Sequence, residues 1–75
     1  MKYKALVEKY ELVITDCGNG LWTYTVRGND GLIGGAFHET NSLQSAKAEA
    51  EALALKTEYG VIPNEPRIVN WQETK

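Results

Sequence analysis

Apolar residues alternate from Tyr3 to Ile14, but the phase changes midway. Tyr3, Ala5 and Val7 fall on odd positions, Tyr10, Leu12 and Ile14 on even ones. One inserted residue near Glu8-Lys9 restores a single buried face, as a β-bulge does. No Gly, Pro, Asn or Asp is present there to turn the chain, so the pattern reads as one long bulged strand; two short strands are the alternative. Asp16-Cys17-Gly18-Asn19-Gly20 is dense in turn formers and predicts a hairpin loop. Leu21 to Arg27 follows as a strand with Trp22, Tyr24 and Val26 on one face. Gly28-Asn29-Asp30-Gly31 is a second tight turn, leading into a third strand from about Leu32 to Thr40. Its Gly34-Gly35 pair predicts a bulge or the close approach of another backbone.

The period then lengthens to that of a helix, from Ser42 to Tyr59. Asn41 or Ser42 caps it, and Asn41 with Gln44 resembles a capping box. Gly60 ends it, Val61 is placed for the contact that often follows, and Pro63 and Pro66 confirm the break. Arg67 to Trp71 forms a short last strand, with Arg67, Val69 and Trp71 on one side. The order is β-β-β-α-β, an α+β fold in one domain spanning residues 1–75. It is a three-stranded antiparallel meander, one helix packed on the sheet, and a short fourth strand parallel to the first, on its free edge.

The helix carries two apolar stripes, and a small domain needs one. Leu43, Ala46, Ala50, Leu53, Ala54 and Thr57 share the stripe assigned to the sheet. Its alanines let the helix sit close, leaving room for the rings of Tyr3, Tyr10, Trp22 and Tyr24. Ala48, Ala52, Leu55 and Tyr59 form the second stripe, the candidate partner interface. Either the tail from Val61 to Trp71 folds over it, or another chain does. Seventy-five residues lie near the lower limit for an unstapled core, so a homodimer would help.

Composition narrows the function classes. One Cys allows no internal disulfide, and one Cys with one His builds no closed zinc site. No apolar run approaches the roughly 20 residues of a membrane span. The opening Met-Lys-Tyr-Lys begins a strand pattern rather than a signal peptide, so a cytoplasmic protein is expected. Net charge is −2 with acids and bases mixed, and Lys2, Lys4 and Lys9 are the one local basic cluster. That footprint disfavours nucleic acid as a partner.

Candidate chemistry is sparse. His38 and Glu39 are strand neighbours and point to opposite faces, so they do not make an acid–base pair. Asp16 and Asp30 are explained as turn residues, and Ser42 and Ser45 as first-turn helix residues without a nucleophile elbow. Cys17, beside Gly18 in a loop, reads as an unreactive thiol. The glycines at 28–31 and 34–35 lack the lysine and the following helix of a phosphate loop. Trp22 and Tyr24 offer base-stacking rings, but their spacing is that of a face buried under a helix. No catalytic, cofactor-binding or metal-ligating residue is assigned.

The stretch Gly35-Ala36-Phe37-His38-Glu39-Thr40-Asn41-Ser42-Leu43-Gln44-Ser45-Ala46 resembles the strand-to-helix segment of HicB-type antitoxins. Gly35 and Ala36 match that family's Gly and small residue, Asn41 and Ser42 its cap, Gln44 and Ala46 its helix start. The opening Met1-Lys2-Tyr3 and the post-helix Ile62-Pro63-Asn64-Glu65-Pro66 are similar too. The resemblance implies a partial ribonuclease-H-like β-β-β-α-β domain and a toxin-neutralising role, with no catalytic residues. Asn29-Asp30-Gly31 stands where the family has a Pro-Asp-x-Pro-Gly turn, and no DNA-binding motif follows, so operator binding is not carried over. Leu21 to Val26, the Asn29-Asp30-Gly31 turn and the Ala-rich helix also resemble the sheet-plus-helix DNA-binding domains of phage integrase arms and plant AP2 factors. Those read DNA with basic strand residues, for which the second and third strands offer only Arg27 and His38.

The sequence thus predicts a small non-enzymatic protein without cofactors, acting through contact with another protein chain or with itself. A HicB-like toxin inhibitor or accessory subunit is its concrete form. The alternative is a sheet-face nucleic-acid-binding domain.

Overall fold

The computed structural model describes residues 1–35, 39–61 and 68–74. Among them are β1 (Lys2–Val7), β2 (Tyr10–Gly18), β3 (Leu21–Gly28), β4 (Gly31–Gly34), β5 (Glu39–Thr40), α1 (Leu43–Tyr59) and β6 (Gln72–Thr74). The strands form one antiparallel sheet in the order β4-β3-β2-β1-β6, with β5 also paired to β3. The helix packs on one face, giving the expected α+β meander, helix and final strand. No helix among the described residues is long and apolar enough to cross a membrane.

The first expected strand is two. Val7 pairs with Tyr10, and Glu8-Lys9 is a two-residue hairpin turn rather than a bulge. The phase change has a simple origin. When a turn holds two residues, paired positions always have opposite parity, so Tyr3, Ala5 and Val7 share a face with Ile14, Leu12 and Tyr10. Glu8 adopts φ 55°, a left-handed conformation that costs a side chain about 1 kcal/mol. The far end of the helix supports it: Tyr59 donates its hydroxyl to Glu8 Oε1 at 2.6 Å. Lys9 Nζ also lies 4.0 Å from Glu58 Oε2.

The extra reversal changes the last strand's direction. β6 lies on the free edge of β1 as expected but runs antiparallel to it, with Lys2, Tyr3 and Lys4 opposite Thr74, Glu73 and Gln72. It also starts later than expected, at Gln72, because Trp71 is engaged by the helix instead. Arg67 lies outside the described residues, as do Pro63 and Pro66.

The second hairpin follows its own sequence. Asn19 and Gly20 both have positive φ, 56° and 77°, as a primed two-residue turn requires. The Asp16 side chain accepts from the Gly18 amide at 2.8 Å, and the register slips between those residues. At the other edge the third expected strand divides. β4 pairs with the Val26–Gly28 end of β3, and β5 with Trp22 and Thr23. Gly35 stands at the division with φ 90°; a Cβ there would lie 2.6 Å from the Tyr24 ring and carbonyl oxygen. This is the close approach that the glycine pair predicts.

Ser42, not Asn41, caps the helix, accepting from the Ser45 amide at 3.0 Å. Gly60 closes it at φ 81°, its amide donating to the Lys56 carbonyl at 2.7 Å. Val61 is exposed and does not supply the contact expected after the cap. Ala46, Ala50 and Ala54 are fully buried against Leu12, Ile14, Tyr24 and Val26 of the sheet. Leu12, Ile14 and Val26, the large fully buried side chains, each contribute about 1.5–3 kcal/mol.

Gly35→Ala combines a left-handed backbone with overlap on Tyr24, so it should destabilise by roughly 2–4 kcal/mol. Gly18→Ala, where a Cβ meets nothing within 4 Å, should cost only its conformational penalty, about 1 kcal/mol. Urea midpoints of the two variants check this. Equal losses would show that Gly35 is not sterically required.

Candidate functional site

The four residues of the second helical stripe end up in different surroundings. Leu55 is 8% exposed and belongs to the core cluster. Ala52 is half-buried and Ala48 exposed. Tyr59 is 45% exposed and committed to Glu8. Within the stripe expected on the sheet, Thr57 is exposed and donates its hydroxyl back to the Leu53 carbonyl at 2.7 Å.

The tail accounts for part of this burial. Val69 and Trp71 pack against the core cluster. The Trp71 indole donates to Glu51 Oε2 at 2.8 Å. Lys47, one turn before Glu51, holds its ammonium 5.2 Å from the Tyr3 ring centroid and 6.0 Å from that of Trp71. Residues 47, 51 and 55 are spaced by helical turns, so the tail docks along this flank. Ile62, within the expected covering segment, lies outside the described residues.

Other sequence candidates resolve into local roles. Trp22 and Tyr24 lie on the face beneath the helix: Tyr24 is buried, and Trp22 is half-buried with its ring 6.0 Å from that of Tyr3. This placement takes both rings away from the open sheet surface where bases would stack. Tyr24 donates its hydroxyl to Glu49 Oε1 at 3.3 Å. Burial raises its pKa above the ordinary phenol value, and the neighbouring Glu49 charge and hydrogen bond add to the rise. Cys17 is exposed, with its sulfur 3.5 Å from Thr23 Oγ1. His38 lies outside the described residues. Among the described residues, no group of three or more His, Cys, Asp and Glu is placed to hold a metal ion.

No other described element covers the sheet's other face. Strand register sorts its side chains into three rows. Thr74, Lys2, Thr15, Thr23 and Glu39 form one; Gln72, Lys4, Val13 and Thr25 the second. Leu6, Glu11, Arg27 and Leu32 form the third. Leu6 is 73% exposed and Leu32 50%. Lys4 Nζ is 3.8 Å from Glu11 Oε2. At the β1 border an open groove of about 450 Å³ is lined by Lys4, Leu6, Glu11, Ile68, Asn70 and Gln72. These residues do not stand out in the sequence, although one signal is present: a chain with one helix covers one sheet face. The alternating residues between the core positions have to be the uncovered ones.

Comparisons with family models, with curated proteins and with solved structures find no match to this chain.

Two outcomes test these placements. Leu55→Glu puts a charge into the core and should destabilise by roughly 3 kcal/mol or more, whereas Ala48→Glu should leave the urea midpoint nearly unchanged. Equal midpoints for both would place Leu55 outside the core. For Tyr24, the raised folded-state pKa means that its contribution is complete below about pH 10. It is then lost as pH rises through the folded value. Stability should therefore fall at alkaline pH, and less so in Tyr24→Phe; denaturation against pH gives the comparison.

Proposed function

We propose that this chain is a small non-enzymatic protein that works through protein–protein contact, with a HicB-like toxin inhibitor or accessory subunit as the concrete form of that role. The observation that carries the reading is the sheet face that no other described element covers. One helix and the tail bury the apolar side, while the other side presents Leu6 and Leu32 within rows of threonines and opposite charges. Such a surface is firm, because hydrogen-bonded neighbours hold every strand in it. It is also chemically mixed, like the protein-contact surfaces of separately folded partners. The second helical stripe supports contact less well, since Leu55 is spent on the chain's own core.

Substitution at the centre of the face tests the reading. Thr25 is half-buried between Val13 and the β4–β5 side, and Thr25→Arg projects a long cation from the middle row without touching the core. Immobilised wild-type chain, incubated with extract of its host, should retain a protein that Thr25→Arg releases, while Lys56→Glu on the helix still retains it. An identical retained set for wild type and Thr25→Arg would remove this face as the working surface.

A further inference from the structure

We infer that the sheet's outer face is self-complementary and pairs with a second copy of this chain, face to face, about a two-fold axis parallel to the strands and lying between β2 and β3. This rests on reading the face as a protein-contact surface, and names its occupant.

The register carries the argument. A two-fold axis along the strands keeps each row on the same row of the second copy and exchanges left with right. With the axis between β2 and β3, β2 of one copy lies over β3 of the other, and β1 lies over the β4–β5 column. Every facing pair that the register then defines is compatible. Glu11 meets the second copy's Arg27, and Arg27 meets its Glu11, a ring of four alternating charges around the axis. Thr15 faces Thr23, and Val13 faces Thr25. Farther out, Leu6 faces Leu32 and Lys2 faces Glu39. Acid meets base, Leu6 meets Leu32, hydroxyl meets hydroxyl at Thr15 and Thr23, and Val13 meets the methyl-bearing side of Thr25. With the axis moved onto β2, Glu11 would meet Glu11 and Leu6 would meet Arg27, which breaks the match.

Packed sheets lie about 10 Å apart and cross at roughly 30°, so the pairs nearest the axis correspond best. Those are the β2–β3 pairs: Glu11–Arg27, Val13–Thr25 and Thr15–Thr23. From strand spacing and rise, the four facing columns measure roughly 19 by 20 Å, or about 400 Å² per copy. The total of about 800 Å² falls among weak, transient contacts, so the dimer is a concentration-dependent one.

Charge exchange provides the test, read by sedimentation of purified chain from about 10 μM to about 1 mM. Wild type should pass from monomer to dimer across that range. Arg27→Glu and Glu11→Lys, each alone, should weaken the dimer at least about tenfold, because each places like charges together twice. Mixed in equal amounts, the two variants should dimerise again. One of the two charge pairs beside the axis then has its native partners, and the other has acid and base exchanged. Thr25→Arg, beside the axis with both native charges in place, should also be monomeric; circular dichroism and urea midpoints establish that each variant is folded. A wild type that stays monomeric throughout overturns the inference. So does a dimer indifferent to both reversals, or a mixture that stays monomeric. A monomeric wild type that still loses its captured protein on Thr25→Arg would leave the contact reading standing with a different occupant.

Discussion

A sheet has two faces, and the described residues hold one long helix to cover them. The rest of the structure follows from how that helix sits. Ala46, Ala50 and Ala54, each fully buried, let its backbone come down onto the sheet. The space that larger helical residues would take is filled from below by Leu12, Ile14, Tyr24 and Val26. A helix so placed cannot reach the full width of the sheet. The β1 side is closed by Trp71, brought back by the tail and tied to Glu51. The core is thus a joint product of helix and tail, and no other described element covers the opposite face.

Much of this is readable from residue order. β3 announces itself by alternating aromatic and β-branched residues, and Asn19-Gly20 supplies the backbone its turn demands. Ser42 and Gly60 mark the helix because capping chemistry is local. Gly35 reads correctly because a position with no room for a Cβ accepts no other residue. What residue order conceals depends on distant partners. Glu8-Lys9 carries no turn signature, and the contact that steadies it comes from Tyr59. The direction of β6 inherits that one unsignalled reversal. Leu55 lies nearly opposite Ala46 around the helix, yet it is buried. A helical wheel shows where a residue points, not how far neighbouring segments wrap around it. The candidate surface is hidden differently: its residues are ordinary one by one, and their order emerges only when the strands are set in register.

The two faces also differ in what holds them. The inner one depends on shape, through close contacts of alanine and aromatic rings. The outer one depends on arrangement, through Lys4 beside Glu11, Glu11 beside Arg27, and threonines between. Exposed charges and hydroxyls contribute little to the stability of the monomer. Their placement can change without unfolding the chain, so this is the surface on which recognition can be tuned.

The left-handed Glu8 has a consequence for how the two hairpins come to exist. Residues 10–28 hold their own bend, written in Asn19 and Gly20. Residues 1–15 do not: their bend is steadied by a tyrosine 51 positions away. The first hairpin is therefore a tertiary product, complete only when the end of the helix has arrived. A chain still emerging from the ribosome would possess β2 and β3 as a locally encoded ribbon well before β1 had a settled place beside them.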